Sequence, residues 1–156
     1  MDYLAPLGNI GNAITGIKAS YFVEGRPVPQ GSLKFIRGHA IHERAQDLAV
    51  WRANIATGAK LSKMKKIEGA VEVHLTFTLA KPKTVKRNEP FVRPDIDKLC
   101  RAVLDGLTGV AFDDDQQVTH LIAHKVYAEK QGVYIRIIDR KEKLSGLLAG
   151  EDGAVN

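Results

Sequence analysis

Nine consecutive residues, Val71–Leu79 (VEVHLTFTL), alternate between apolar and polar without a break. Val71, Val73, Leu75, Phe77 and Leu79 fall on one side, and Glu72, His74, Thr76 and Thr78 on the other. A period of two belongs to a β-strand with one buried and one polar face. The chain must therefore build a sheet around this strand. The second strong pattern is Asp97–Leu107, where Leu99, Cys100, Val103, Leu104 and Leu107 form one apolar stripe at helical spacing. Pro94, Asp95 and Asp97 suit the start of that helix, because proline fits its first turn and acids complement its positive end. Thr108–Gly109 ends it.

The remaining elements are shorter. Tyr21–Val23 is a strand candidate, and Gly25–Ser32 (GRPVPQGS) is a turn set by its two prolines and two glycines. Leu33–Glu43 suits another short strand or hairpin arm. Arg44–Thr57 predicts a helix, with Leu48, Trp51 and Ile55 at helical spacing. Ala80–Arg93 holds two prolines and five bases and reads as an exposed loop. Val118–Tyr127 and Val133–Ile138 follow as strands, and the short turn between them, Glu129–Gly132, predicts an antiparallel hairpin. The expected fold class is α+β: a small single domain over residues 20–143, its mixed, mostly antiparallel sheet packed with two main helices. Residues 1–19 read as an N-terminal extension and residues 144–156 as a flexible tail.

A chain of 156 residues suits one domain with a core of its own. No apolar run approaches the ~18 residues needed to cross a bilayer, and Met1–Leu4 does not open a secretory signal. The one cysteine, Cys100, lies in the apolar helical stripe and reads as a core residue. A cytoplasmic protein with no membrane partner is the expectation.

The net charge of +5 points only weakly to nucleic acid, but its distribution says more. Arg93–Val118 carries six acids (Asp95, Asp97, Asp105, Asp113, Asp114 and Asp115) against three bases, a net of −3, which leaves +8 on the rest. A simple phosphate-binding surface has no use for such an acidic knot. A site that holds divalent cations against DNA uses both parts.

Asp97, Arg101 and Asp105 follow at i, i+4 and i+8, along one polar stripe of the predicted helix. The Asp113–Asp115 run stands just before the strand at Val118. A helix start and a strand start joined by a tight turn can lie close, which would let four or more carboxylates converge. Clustered carboxylates repel one another unless a cation neutralises them. Mg²⁺ takes hard oxygen ligands and keeps several waters, so two to four carboxylates suffice. Arg101 beside such a cluster would stabilise charge on phosphate without acting as a base, since guanidinium stays protonated. The plainer reading is that the acids cap a helix and solvate a turn. The acid order does not fit an EF-hand. His120 and His124 are spaced as zinc ligands would be on a helix, but in a strand they stand ~13 Å apart.

Arg93-Pro94-Asp95-Ile96-Asp97-Lys98-Leu99, then Arg101, then Leu104-Asp105-Gly106-Leu107, then Asp114-Asp115-Gln116-Gln117-Val118, and finally Lys125 stand in that order. This series resembles the RusA family of crossover-junction (Holliday junction) endodeoxyribonucleases, whose signature runs K/R-P-D-x-D-N-L-x-K, D-A-L, D-D-x-Q-V and a later lysine. The resemblance extends more loosely to Phe22–Ser32, and so covers about Tyr21–Ile138. It implies a RusA-like, homodimeric, Mg²⁺-dependent resolvase of four-way junctions and related branched DNA, often carried by phages and prophages. Mn²⁺ is the natural substitute cation. The family's three catalytic acids fall on Asp95, Asp97 and Asp115, with Asp114 a further metal ligand candidate. The family lysine falls on Arg101, which keeps the charge but not the geometry. The family asparagine falls on Lys98.

Phosphate contacts are expected from Lys81, Lys83, Lys86, Arg87 and Arg93 in the loop before the motif, and from Lys125. Arg26, Lys34 and Arg37 come next. Phe91 either packs that loop down or stacks on an unpaired base at a branch point. Two other readings stay open: a flap or general branched-DNA nuclease, and a branched-DNA-binding protein silenced by the change at Arg101.

Overall fold

The computed structural model describes residues 15–31, 33–36, 39–42 and 44–152. In chain order these form β1 (Ile17–Glu24), a hairpin of β2 (Leu33–Ile36) and β3 (His39–His42), helix α1 (Ala45–Leu61), β4 (Val71–Leu79), helix α2 (Ile96–Leu107), β5 (Val118–Tyr127), β6 (Gly132–Asp139) and helix α3 (Arg140–Asp152). The main sheet has the order β1-β6-β4-β5, and β2 with β3 makes a separate two-stranded sheet. β1 and β4 both pair antiparallel with β6, whereas β4 and β5 pair in parallel. A mixed, mostly antiparallel α+β domain follows, as its alternating strand and amphipathic helices predict.

β4 occupies the place its pattern demands. Val71, Val73, Leu75 and Phe77 are buried against α1 and α2, which contribute Leu48, Trp51, Ile55 and Ala59, and Leu99, Ala102, Val103 and Leu107. Each fully buried Val, Leu, Ile or Phe contributes roughly 1.5–3 kcal/mol relative to an exposed one. The two helices approach closely at Gly106, where an added Cβ would stand 3.1 Å from the Arg52 carbonyl oxygen. α2 thereby packs its apolar stripe flat on the sheet and turns Asp97 and Arg101 to solvent.

Three expectations are corrected. β5 and β6 do not form a hairpin, because β4 lies between them. β6 carries buried Val133, Ile135, Ile137 and Ile138 and takes an interior position, while β5, with its polar and half-exposed residues, takes the edge. The connection at 128–131 spans the end of β4, held by Ala128 N donating to Leu79 O (3.0 Å) and Thr78 Oγ1 to Lys130 O (2.7 Å). β1 begins at Ile17, earlier than its short apolar core indicates, because backbone pairing with β6 runs past the apolar residues. The tail expected to be flexible from residue 144 instead carries α3 as far as Asp152. Residues 1–14 lie outside the described residues, so the expected extension is described only from residue 15.

The start of α3 is anchored through Glu72 on the polar side of β4, which is only 2% exposed. Its carboxylate accepts from His74 Nε2 (2.6 Å), Arg140 Nη1 (2.7 Å) and Lys143 Nζ (2.8 Å). Burial alone would raise the Glu72 carboxyl, but the hydrogen bonds from Lys143, His74 and Arg140 outweigh it and hold the group at about 2.

Candidate active site

α2 starts at Asp95, whose carbonyl accepts the Leu99 N–H at 3.1 Å. The Asp95 side chain makes no capping bond. Its carboxylate is half-exposed, with Lys98 Nζ 3.2 Å away. Asp97, further along the first turn, is exposed and carries no hydrogen bond or ion pair among the described residues. Two acids therefore stand at the positive end of a helix with oxygens free for a ligand. Burial first, and the Asp97 carboxylate second, push the nearby Cys100 thiol up to about 11, so it offers no thiolate nucleophile at neutral pH.

The segment leading into this point is tethered from β5. Lys125 Nζ donates to Val92 O (2.7 Å) and Pro94 O (2.9 Å), directly ahead of Asp95. Lys125, expected as a phosphate ligand, thus fixes the backbone that presents Asp95. The Gly25–Gly31 turn docks alongside: Gln30 N donates to Lys98 O (3.0 Å), and Arg52 binds both Gln30 Oε1 and Asp105 Oδ2, the latter at 2.6 Å. Asp105 is engaged with α1 and supports the helix pair rather than joining the acids at the α2 start. Arg26 from the turn and Arg44 from the start of α1 line a cleft together with Arg93, Lys98 and Asp95. Four cations around one carboxylate suit the backbone of a nucleic-acid strand.

The other acids lie elsewhere. The chain rises through β4, returns along α2 and rises again through β5, as a parallel pair requires. Asp113–Asp115 therefore follow the end of α2, and Asp95 and Asp97 stand at its start. The expectation that the helix start lies near the strand start is corrected: the tight turn joins the helix end to that strand. Among the described residues no group of three or more His, Cys, Asp or Glu side chains is placed to hold an ion.

The aspartate run is divided in its tasks. Asp113 pairs with Lys66 (2.8 Å), and Asp114 caps the 3₁₀ turn Asp115–Gln117 by accepting from Gln116 N (2.9 Å). Asp115 is exposed and makes neither kind of contact among the described residues. Gln117 sets this geometry with all four of its amide hydrogen-bonding sites. Its oxygen accepts from Asp113 N (2.9 Å) and Asp114 N (3.2 Å), and its nitrogen donates to Ile67 O (2.8 Å) and Gly69 O (3.0 Å). Arg101 is exposed on the α2 face between the two acid groups, with no ion pair among the described residues.

In the loop before α2, Lys81, Lys83, Lys86 and Arg93 are exposed. Arg87 instead turns inward, donating from Nε to Tyr127 Oη (3.1 Å) and covering the Phe91 ring at 5.1 Å. Phe91 remains 77% exposed, so it does not pack the loop down. The side chains of Lys34 and Arg37 lie outside the described residues.

The family model for endodeoxyribonuclease RusA matches residues 24–138, from the end of β1 almost to the end of β6. The chain belongs to the RusA endodeoxyribonuclease family. A comparison with curated proteins gives no significant match. The family places the chain among Holliday-junction endonucleases acting on branched DNA. No helix among the described residues is long and apolar enough to cross a membrane. The matched stretch contains both acid groups, Gln117 and Lys125. Sequence reasoning missed what the last two do. Their bonds run to backbone groups, and nothing in a sequence marks a particular carbonyl as a partner. The Arg52 link to Asp105 is equally invisible there, since it joins two helices 53 residues apart.

Proposed function

We propose that the protein is a metal-dependent, structure-specific endonuclease that resolves Holliday junctions by paired symmetric nicks, working as a homodimer in the cytoplasm. The observation that carries this reading is the pair Asp95 and Asp97: two carboxylates at a helix start, the first of them lining a cleft together with Arg26, Arg44, Arg93 and Lys98. As a donor set the pair fits Mg²⁺, or Mn²⁺ in its place, since such ions take one or two carboxylates and complete their shells with water and phosphate. Asp115 is the third family acid and the remaining ligand. When bound, the cation supplies a water of lowered pKa and offsets the charge that develops on the scissile phosphate.

The chain's own residues do the rest. Lys125 holds the Asp95 backbone in place, and Arg26, Arg44 and Arg93 grip phosphates beside the scissile one. Arg101, cationic at every accessible pH, stabilises the charge-rich transition state where the family uses lysine. A two-fold dimer presents two matched sites to a junction with its own approximate two-fold axis.

Cleavage of a synthetic four-way junction, a flap and a linear duplex tests the reading, each with Mg²⁺ and with EDTA. Symmetric nicks confined to the four-way junction and to Mg²⁺ are expected. Equal cutting of flap or duplex would replace junction resolution with general nuclease activity, and tight binding without cutting would favour the silent binder. Arg93→Ala and Arg26→Ala should each weaken junction binding without altering which strand is cut. Each should lower the slope of log K against log salt by about one, the value for one lost phosphate contact. An unchanged slope for both would remove the cleft from the DNA interface.

A further inference from the structure

We infer that the sheet face turned away from α1 and α2 binds single-stranded DNA, stacking bases on the paired rings of Phe22 and Tyr134 and holding a phosphate on Arg136. This surface goes beyond the proposed cleavage and does not rest on it.

Strand alternation builds the face. Tyr21 points toward the helices, donating to the Ile55 carbonyl at 2.7 Å, and Ala19 and Val23 are buried on the same side. Ser20, Phe22 and Glu24 therefore fall on the other side of β1. The register sets Phe22 opposite Tyr134 and Ser20 opposite Arg136. It also sets Tyr134 opposite Thr76 and Arg136 opposite His74 on β4. Residues directly opposite share a face. α3 meets this face at its Glu72 end, through Arg140 and Lys143. Ser20 is exposed, and Phe22, Thr76, Tyr134 and Arg136 are half-buried.

The rings form a platform. The Phe22 and Tyr134 centroids lie 4.4 Å apart with planes tilted by 39°, and Lys130 Nζ stands 5.5 Å from the Phe22 centroid. Gly132 makes room for the Phe22 ring, which a Cβ there would strike. Aromatic rings with a cation beside them accept any base together with its phosphate.

Arg136 adds an unmet demand. Its Nε is buried with no hydrogen-bond partner. The carboxylates on this side are engaged by other cations: Glu72 by Arg140 and Lys143, Glu24 by Lys130, and Glu142 by Lys18. A half-buried guanidinium with a free donor suits an anion from outside, and phosphate is its usual planar match.

The chemistry favours one strand over two. A duplex hides the faces of its bases and is read by an element that enters a groove, which the middle of a sheet does not supply. A single strand exposes those faces, and sheets bind it by stacking bases on aromatic side chains. The family acts on branched DNA, where nucleotides at a branch point come unpaired. Arg26 of the cleft follows Phe22 by four residues, at most about 14 Å of extended chain. A strand leaving the cleft thus reaches the rings directly.

Anisotropy of a labelled dT oligomer of about 16 nucleotides, titrated against the whole protein in EDTA, tests this. Phe22→Leu and Tyr134→Leu keep apolar bulk and remove a ring, and each should weaken binding about tenfold, within the range for one lost base stack. Arg136→Gln should lower the slope of log K against log salt by about 0.7, the value for one phosphate contact on a single strand. Arg136→Lys should restore that slope, which a merely structural loss would not allow. Affinity and slope unchanged in all three variants would overturn the inference, as would a wild-type protein that binds no dT. Photo-crosslinking with iodouracil-substituted oligomer gives a readout independent of variant folding: adducts should fall on β1 and β6, and adducts confined to the cleft would overturn the assignment. Altered sedimentation of the ring variants with unchanged dT affinity would give the face to a second copy of the chain instead. A protein that binds dT here and cuts no junction would defeat the nuclease reading alone, and one that cuts junctions but binds no dT would defeat this inference alone.

Discussion

Asp97→Asn should bind a four-way junction as tightly as wild type and leave it uncut. Asparagine keeps the shape of the side chain and removes its charge. The site then loses an anionic oxygen ligand, and the repulsion that a cation would relieve also falls. Groups that merely orient a metal ligand cost 10–100-fold when removed, so loss of a direct ligand should exceed about 100-fold in cleavage rate. Binding should hold or tighten, because one negative charge leaves the path of the phosphates while the cleft around Arg26, Arg44 and Arg93 is untouched. Gel shifts in EDTA and single-turnover cleavage in Mg²⁺ measure the two quantities separately. Cleavage within tenfold of wild type would remove Asp97 from the site. Loss of binding in parallel with cleavage would mean that Asp97 shapes the surface and holds no cation.

Glu72→Gln should produce the largest loss of stability. The carboxylate is buried beneath Arg140, Lys143 and His74, and the side chains of Arg140 and Lys143 are only 18% and 21% exposed. A glutamine leaves both cations half-buried without a counter-charge. Removing one partner of a buried ionic network costs about 3–5 kcal/mol. With a urea m-value of about 1–3 kcal/mol/M, the unfolding midpoint should fall by at least ~1 M. The same network gives wild type an acid limit. The Glu72 carboxyl is held at about 2 in the folded chain, below its ordinary value of 4.5. Its stabilisation is therefore complete above about 4.5 and is lost as pH falls toward 2. The difference corresponds to about 3 kcal/mol. Unfolding midpoints measured across that window should converge for wild type and Glu72→Gln as the pH drops. Parallel curves would show that the network contributes nothing through ionisation. Because Glu72 lies on the sheet face away from α2, the folded variant should still cut at wild-type rates.

The legible parts of the chain are those whose cause is local. The alternation of Val71–Leu79 predicts β4 to the residue, and the stripe from Leu99 to Leu107 predicts α2 within one residue at its start. The order of the acidic motifs carries the family signature by itself. Pairing is less legible. The turn at Glu129–Gly132 looks short enough for a hairpin, yet β4 sits between the strands it joins, because pairing on both edges goes to the more apolar β6. The α3 segment looks like a tail in sequence, since its anchor is Glu72, some seventy positions away in a strand.

The sequence by itself determined the α+β class, the strand Val71–Leu79 and the nuclease family. These follow from side-chain period and residue order, which are properties of short stretches. Only the tertiary structure decided where the acids stand. The parallel connection from β4 through α2 to β5 sends Asp95 and Asp97 to one end of a helix and Asp115 to the other. Only the fold, too, assigned Asp105 to Arg52, Asp114 to a cap and Lys125 to two carbonyls. It left Asp95 with no more than its Lys98 neighbour, and Asp97 and Asp115 without side-chain partners among the described residues. The physical reason is the same in each case: direction of travel and hydrogen-bond partners are set by contacts between distant segments, and a local pattern does not contain them.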